Sequence, residues 1–392
     1  MGPPAAVTAL GSAAEEDELG RRLIERTAEL VNIPSVSFEE GAVVDHIEAL
    51  LGSCDHLELV RVGDNVVART RLGRRSRLVL GGHTDTVPAN GNEQARPVGT
   101  VLWGLGTADM KGALAIMVEL ALTLRDPAMD VTYVFYAREE VASVHSGLEE
   151  LFQTRPDLLV GDVAVLGEPT GGAVEAGCQG TLRAKVTLRG QRAHTARPWM
   201  GRNAIHRLGA LLSALASFEP RRPMVGGLQF REAMQAVTVS GGGTGNVVPD
   251  EAWVLINHRF APDREVHAAL EEVQRVVGPH LVEGDVVELV EHAPAGVPAM
   301  DHPLLAALQA RAGGEVQAKL GWTDVARFSA RGTPAVNFGP GDATLAHHAD
   351  ERVETAALVH SFLVLHGLLS DPDPDPDPNP GRDPATTTAG AR

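Results

Sequence analysis

Several short apolar runs in the first half of the chain end abruptly in polar residues. Leu78, Val79 and Leu80 run straight into Gly81, Gly82, His83, Thr84 and Asp85, the pattern of a buried strand closing in a tight turn. Residues 131–136 are apolar, β-branched and aromatic, and lead into Ala137, Arg138, Glu139 and Glu140, again a buried strand with polar residues at its end. Residues 163–166 repeat the pattern and deliver Gly167, Glu168, Pro169 and Thr170. Between these runs, apolar spacing predicts helices over 21–31, 39–51 and 113–124 and a strand over 66–72; the first helix stops ahead of Pro34, because the residue before a proline resists the helical conformation. Strands alternating with helices, each strand carrying polar residues at its C-terminal end, predict an α/β layer architecture.

From about residue 177 the pattern changes. Residues 181–188 alternate apolar and polar like a half-buried strand, 201–218 form an Ala- and Leu-rich helix, and 235–240 and 252–260 read as strands on either side of a Gly-rich loop. A helix over 263–277 and a strand over 286–291 complete the order β-α-β-β-α-β, the split-βαβ sandwich. Its exposed strand edge needs a partner, which suits a dimerisation or lid element. After about residue 293 the α/β style returns, with a helix over 303–312, a strand over 335–338 and a helix over 353–369; the loop before that last helix carries His347 and His348. The segments predicted are a loose N-terminus over 1–18, a first catalytic part over 19–176, an inserted dimerisation or lid domain over 177–292, a second catalytic part over 293–370, and a disordered tail over 371–392. That tail alternates Asp with Pro, which supports neither helix nor sheet ladder.

Composition narrows the function classes. The chain has 392 residues, 44% of them hydrophobic, and a net charge of -17, enough for two domains and the wrong sign for a nucleic-acid or anionic-membrane surface. The two cysteines, Cys54 and Cys178, make no disulfide framework and fit a reducing cytoplasm. No basic, apolar leader opens the sequence, and no apolar segment approaches the length that spans a bilayer. A cytoplasmic enzyme or interaction protein is the expectation.

The strand ends carry the chemistry. A histidine at a strand end (His83) and an aspartate before a helix (Asp109, among Gly104, Gly106 and Gly112) can converge on one point, and imidazole nitrogen with carboxylate oxygen suits Zn²⁺. Asp85 could orient the His83 ring. With Glu140, Glu168 and His347, the set would supply two metals, each with one histidine, one terminal carboxylate and a shared bridging carboxylate, which is the donor logic of a dinuclear hydrolase. Glu139 and Glu140 are adjacent in an extended segment and face opposite ways, so one can bind metal while the other serves as general base.

His83-Thr-Asp85, Gly106-Thr-Ala-Asp109-Met-Lys-Gly112, Glu139-Glu140, Gly167-Glu168-Pro-Thr170 and His347-x-x-Asp350-Glu351 resemble the ordered signature set of a family of dinuclear zinc amidohydrolases that includes aminoacylases and carboxypeptidases. The resemblance implies a zinc-peptidase-like three-layer α/β catalytic domain with an inserted ferredoxin-like α+β dimerisation (lid) domain, and two Zn²⁺ per subunit, with Co²⁺ able to substitute. It implies one zinc on His83 and Glu168, the other on Glu140 and His347, and Asp109 between them. Glu139 would be the general base and acid and Asp85 the support of His83. The family spacing favours His347 over His348.

A finer resemblance is to the actinobacterial branch of that family's succinyl-diaminopimelate desuccinylases. It rests on Glu139-Glu140-Val141, Gly177-Cys-Gln-Gly180-Thr181, Arg192-Ala-His194-Thr-Ala-Arg197, Gly245-Asn246-Val-Val-Pro-Asp250, Asn257-His-Arg259-Phe260 and Gly321-Trp-Thr-Asp324-Val-Ala-Arg327-Phe328. It implies hydrolysis of the amide of N-succinyl-LL-2,6-diaminopimelate, an anionic N-acyl amino acid, by a homodimer in which a lid histidine matching His194 reaches the partner's active site. Asn246 would assist binding, and Arg259 and Arg327 are candidates for gripping carboxylates through bidentate forks. Cys178 and Gln179 stand where relatives of the proteobacterial type carry a basic residue, which leaves room for a related N-acyl amino acid deacylase or a metallo-carboxypeptidase.

Overall fold

The computed structural model describes residues 12–371. Its centre is an eight-stranded mixed sheet in the order Glu58–Val62, Asn65–Arg69, Asp130–Tyr136, Arg77–His83, Val163–Leu166, Ala335–Asn337, Glu175–Ala176, Gln317–Ala318. The four inner strands, Asp130–Tyr136, Arg77–His83, Val163–Leu166 and Ala335–Asn337, run parallel, so their carboxyl ends open on one edge. All seven residues of Asp130–Tyr136 are buried, as a strand covered on both faces requires.

Side-chain alternation divides the core into two layers. Leu78, Leu80, Val131, Tyr133, Phe135, Val163 and Val165 pack on one face with helices Ala13–Val31, Lys111–Thr123 and Thr355–Ser370. Val79, Val134, Tyr136, Ala164 and Leu166 pack on the other, with Leu148 and Leu151 of helix Gly147–Thr154 and Phe328 of helix Val325–Ser329. Helix, sheet and helix make the three layers expected. Gly82 allows the first of these packings: a Cβ there would sit 2.6 Å from Leu114 Cδ2.

A second sheet of four antiparallel strands has the order Ala233–Gly241, Glu251–Phe260, Gly180–Arg189, Val286–Ala293. Helices Ala204–Ala216 and Val266–Val277 cover one face, closing a separate core of Leu182, Ala184, Val186, Val254, Ile256, Leu208, Leu211 and Val273. With strands numbered within the unit, the order is 2-3-1-4, the ferredoxin-like sandwich that the β-α-β-β-α-β order predicts. Among the described residues no helix is long and apolar enough to cross a membrane.

Two expectations change. Residues 1–18 are not loose throughout, because a helix begins at Ala13; Glu15 and Glu16 lie in its first turn, where carboxylates suit the helix dipole, and Leu19 is buried. Residues 1–11, and the Asp-Pro tail from 372 on, lie outside the described residues. A three-stranded sheet, Arg96–Val98, Val101–Trp103 and Arg352–Glu354, was not expected. It ties the segment after His83 to the end of the His347 loop, with Arg96 and Arg352 stacked on Trp103 at 5.2 and 4.7 Å from the ring centroid.

Candidate metal centre

The carboxyl edge of the parallel strands gathers the predicted donors. Strand Arg77–His83 ends on His83 itself, Glu139 and Glu140 follow Asp130–Tyr136, and Glu168 follows Val163–Leu166. Asp109 precedes helix Lys111–Thr123, and His347 comes from the loop after Ala335–Asn337. Oδ1 of Asp109 lies 3.1 Å from His83 Nε2, and its Oδ2 lies 3.5 Å from His347 Nε2. His347 Nε2 is also 2.8 Å from Glu140 Oε1. Donor atoms of His83, Asp109 and Glu168 all fall within 4.8 Å of one another, and so do those of Asp109, Glu140 and His347. Asp109 belongs to both groups. A third grouping of the same compactness joins His83, Glu139 and Glu140.

The electrostatics show acids crowded without enough counter-charge. Burial, then the charge of Asp109, pushes the Glu168 carboxyl up to about 8, and its Oε1 is buried with no hydrogen-bond partner among the described residues. Burial and the neighbouring Glu168 push Glu139 well above the usual carboxylate range. The histidines respond oppositely: hydrogen bonds to Asp109 and Glu140 raise His347 to about 10. Burial works against a charged His83, yet its bonds to Asp109 and Asp85 still hold it well above its ordinary value. Buried carboxylates need such compensation. Two imidazole nitrogens with three carboxylates are a donor set that suits zinc, and the orphaned Glu168 oxygen is what a missing cation partner leaves. The residues fit a pair of divalent ions.

The supporting contacts are specific. His83 Nδ1 donates to the main-chain carbonyl of Asp85 at 3.0 Å and lies 3.5 Å from its carboxylate, which leaves Nε2 free as a ligand. The Asp85 carboxylate also accepts from the main-chain N–H groups of Glu139 (2.9 Å) and Glu140 (3.1 Å) and from the Ser37 hydroxyl (2.7 Å). Asp85 therefore positions the Glu139–Glu140 segment as well as the His83 ring. Glu351 Oε1 accepts from the N–H groups of Ala108 and Asp109 at 2.9 and 3.0 Å, tying the Asp109 turn to the His347 loop. Buried Lys319 donates to the Pro169 carbonyl at 3.1 Å and pairs with Glu175 at 2.8 Å, holding the segment behind Glu168. Arg138 and His347 have φ of 63° and 64°, a conformation that side-chain-bearing residues hold mainly where surroundings dictate it.

A cleft of about 500 Å³ opens above these donors, with Glu139, Glu140, Glu168, Arg183, Arg259 and Arg327 in its walls. The Arg259 guanidinium makes no hydrogen bond or ion pair among the described residues, and stands free to accept an anion. Arg327 does not. Its nitrogens are committed to Asp324 (2.5 Å), Glu149 (2.8 Å) and the Ser143 hydroxyl (2.9 Å), so it braces the wall instead of offering the carboxylate fork expected of it. Asp324 is the partner that sequence reasoning missed; its i, i+3 spacing to Arg327 is the readable signal. His194 bridges to Val247, and Thr195 N–H donates to the Asn246 carbonyl at 3.1 Å. These two lid residues neighbour each other, and neither walls the cleft of its own chain. Cys178 is a buried filler that contacts the Thr323 carbonyl, and Gln179 is buried with its amide on the Leu320 carbonyl.

The model of peptidase family M20/M25/M40 matches residues 79–371. The chain belongs to this family. A Mycobacterium tuberculosis member, provisionally named succinyl-diaminopimelate desuccinylase, is 50% identical over 331 residues, 84% of this chain and 93% of the relative. A Corynebacterium glutamicum protein named succinyl-diaminopimelate desuccinylase is 40% identical over 351 residues, 88% of this chain and 95% of the relative. A solved Bacillus subtilis structure, described as a dinuclear metal-binding peptidase of the M20 family, matches with a TM-score of 0.67 at 18% identity, covering 90% of this chain and 98% of that one. That likeness establishes the M20 fold and agrees with the layered architecture expected.

Proposed function

We propose that this M20-family chain is a metal-dependent amidohydrolase that cleaves N-succinyl-LL-2,6-diaminopimelate to succinate and LL-2,6-diaminopimelate. The observation that carries the reading is the two-sided reach of Asp109, one oxygen to His83 and the other to His347. The substrate class comes from the relatives' names, and the unpaired Arg259 suits an anionic substrate. Two Zn²⁺ per subunit would sit on His83, Glu168 and Asp109 and on Asp109, Glu140 and His347. When bound, the pair polarises the scissile carbonyl and lowers the pKa of a water. Glu139 takes a proton from the attacking water and returns it to the leaving amine, while Arg259 holds a substrate carboxylate. A cytoplasmic location belongs to the same reading and suits two free cysteines. The assay that decides it compares N-succinyl-LL-2,6-diaminopimelate with N-acetylornithine on purified protein, with metal quantified. We expect two ions per chain and a preference for the succinyl substrate of roughly 100-fold or more, since a buried group left without its partner costs about that much discrimination. A preference for N-acetylornithine, or for a dipeptide, overturns the substrate assignment.

The reading includes a homodimer through the inserted sheet. Strand Ala233–Gly241 is a sheet edge whose residues 235–241 are exposed, with Val237 and Val239 at 52% and 50%. Such an edge pairs readily with a second copy, which would also bring a partner's His194 toward the cleft, where a donor can stabilise the developing oxyanion. Val237→Lys should turn a sedimenting dimer into a monomer and lower turnover with it. A wild-type protein that sediments as a monomer refutes the assembly.

A further inference from the structure

The open face of the four-stranded sheet carries a second guanidinium beside Arg259. Leu182, Ala184 and Val186 point into the helix-covered core, so the alternation of strand Gly180–Arg189 puts Thr181, Arg183 and Lys185 on the opposite face. The register sets Thr181 against Arg259 and Arg183 against Asn257, which makes the two arginines diagonal cross-strand neighbours, about 7–8 Å apart. Both wall the cleft that holds Glu140 and Glu168. Burial and then the positive charge of Arg183 disfavour a charged Arg259, a sign that the two guanidinium groups feel each other. Glu291 is the one acid that meets the pair, 2.6 Å from Arg183 Nη1, and Arg259 is left with none among the described residues. Two guanidinium groups against one carboxylate leave this wall of the cleft locally positive in a chain with a net charge of -17, across from the acids at the metal-donor end, and that marks a place for an anion.

We propose that Arg183 is a specificity-determining residue that exchanges Glu291 for a carboxylate of the substrate. The cleft then takes an N-acyl compound with two carboxylates away from the scissile amide, one on Arg259 and one on Arg183. Arg183 supplies the second fork that Arg327 cannot, and Gln179, buried on Leu320, does not reach the cleft. The inference rests on the metal-dependent deacylase reading and adds the shape of its substrate.

A competing account makes Arg183 and Glu291 an ordinary cross-strand ion pair, with side chains 51% and 32% exposed, of the kind that contributes little. The two accounts differ in sign. If Glu291 competes with substrate, Glu291→Gln lowers KM for N-succinyl-LL-2,6-diaminopimelate several-fold, whereas Arg183→Ala raises it roughly 10- to 100-fold, the usual effect of losing a charged hydrogen bond; Arg183→Lys falls between. If the pair is only structural, both variants lose the same contact and shift KM together and slightly. Succinate binding to the metal-loaded protein, followed by calorimetry, gives a readout independent of turnover and should weaken in Arg183→Ala and tighten in Glu291→Gln. Opposite signs in succinate binding, with no hydrolysis of the succinyl substrate by wild type, would remove the proposed substrate and leave the carboxylate subsite standing. Equal or absent effects of the two variants on succinate binding overturn the assignment of Arg183.

Discussion

Glu139→Gln is expected to keep its full complement of metal and lose turnover by about 10³-fold or more, the upper range for a missing general acid and base. The carboxylate of Glu139 makes no hydrogen bond among the described residues, while its main-chain N–H is fixed on Asp85 Oδ1 at 2.9 Å. The backbone is held and the acid is left free in the cleft wall, the disposition a proton carrier needs. Burial and the charge of Glu168 favour its protonated form, so a cation pair beside it would lower its pKa back toward the working range. Glutamine keeps the shape and removes the proton exchange. The measurement separates two roles that proximity alone leaves open, because His83, Glu139 and Glu140 also form a compact donor group. If elemental analysis shows metal lost along with activity, Glu139 is a ligand and the proton carrier lies elsewhere.

The donors were legible because each follows a buried run or a glycine turn, and parallel strands open their carboxyl ends on one edge. His83, Glu140 and Glu168 reach that edge by the direction of three strands alone. The link between them was not legible. Glu351 reaches back to the N–H groups of Ala108 and Asp109 across more than half the chain, and no local pattern reports such a contact. The hairpin of Arg96–Val98 and Val101–Trp103 has only the two residues Gly99 and Thr100 between its strands, a readable turn signal obscured by strands of three residues. Arg183 shows a different limit. Its place in an alternating strand says only that it faces away from the lid core; whether that face meets solvent or a cleft depends on how the two sheets are set together. Arg327 shows the converse, since a charged residue beside a cleft looks available until Asp324, Glu149 and Ser143 are seen around it.

Asp109→Ala should remove both metals, where His347→Ala or Glu168→Ala removes one. Oδ1 and Oδ2 of Asp109 face different histidines, so a single truncation deletes a donor both from the group with His83 and Glu168 and from the group with Glu140 and His347, and with it the anion that the two proposed ions would share. Loss of a group that merely supports a ligand weakens metal binding by roughly 10- to 100-fold; loss of a ligand common to two sites should exceed that at each. A residue that binds the folded state's ligand also controls how much that ligand stabilises the fold. Added Zn²⁺ should therefore raise the melting temperature of wild type, raise that of His347→Ala by less, and leave that of Asp109→Ala unmoved. Burial itself disfavours a charged Asp109, and its hydrogen bonds to His347 and His83 outweigh that cost; with the carboxylate gone, the two imidazoles lose the anion between them, so even the metal-free variant reports the pairing through their titration. Retention of one ion by Asp109→Ala, with a thermal shift equal to that of His347→Ala, would show that Asp109 serves one metal alone and that the dinuclear arrangement is wrong.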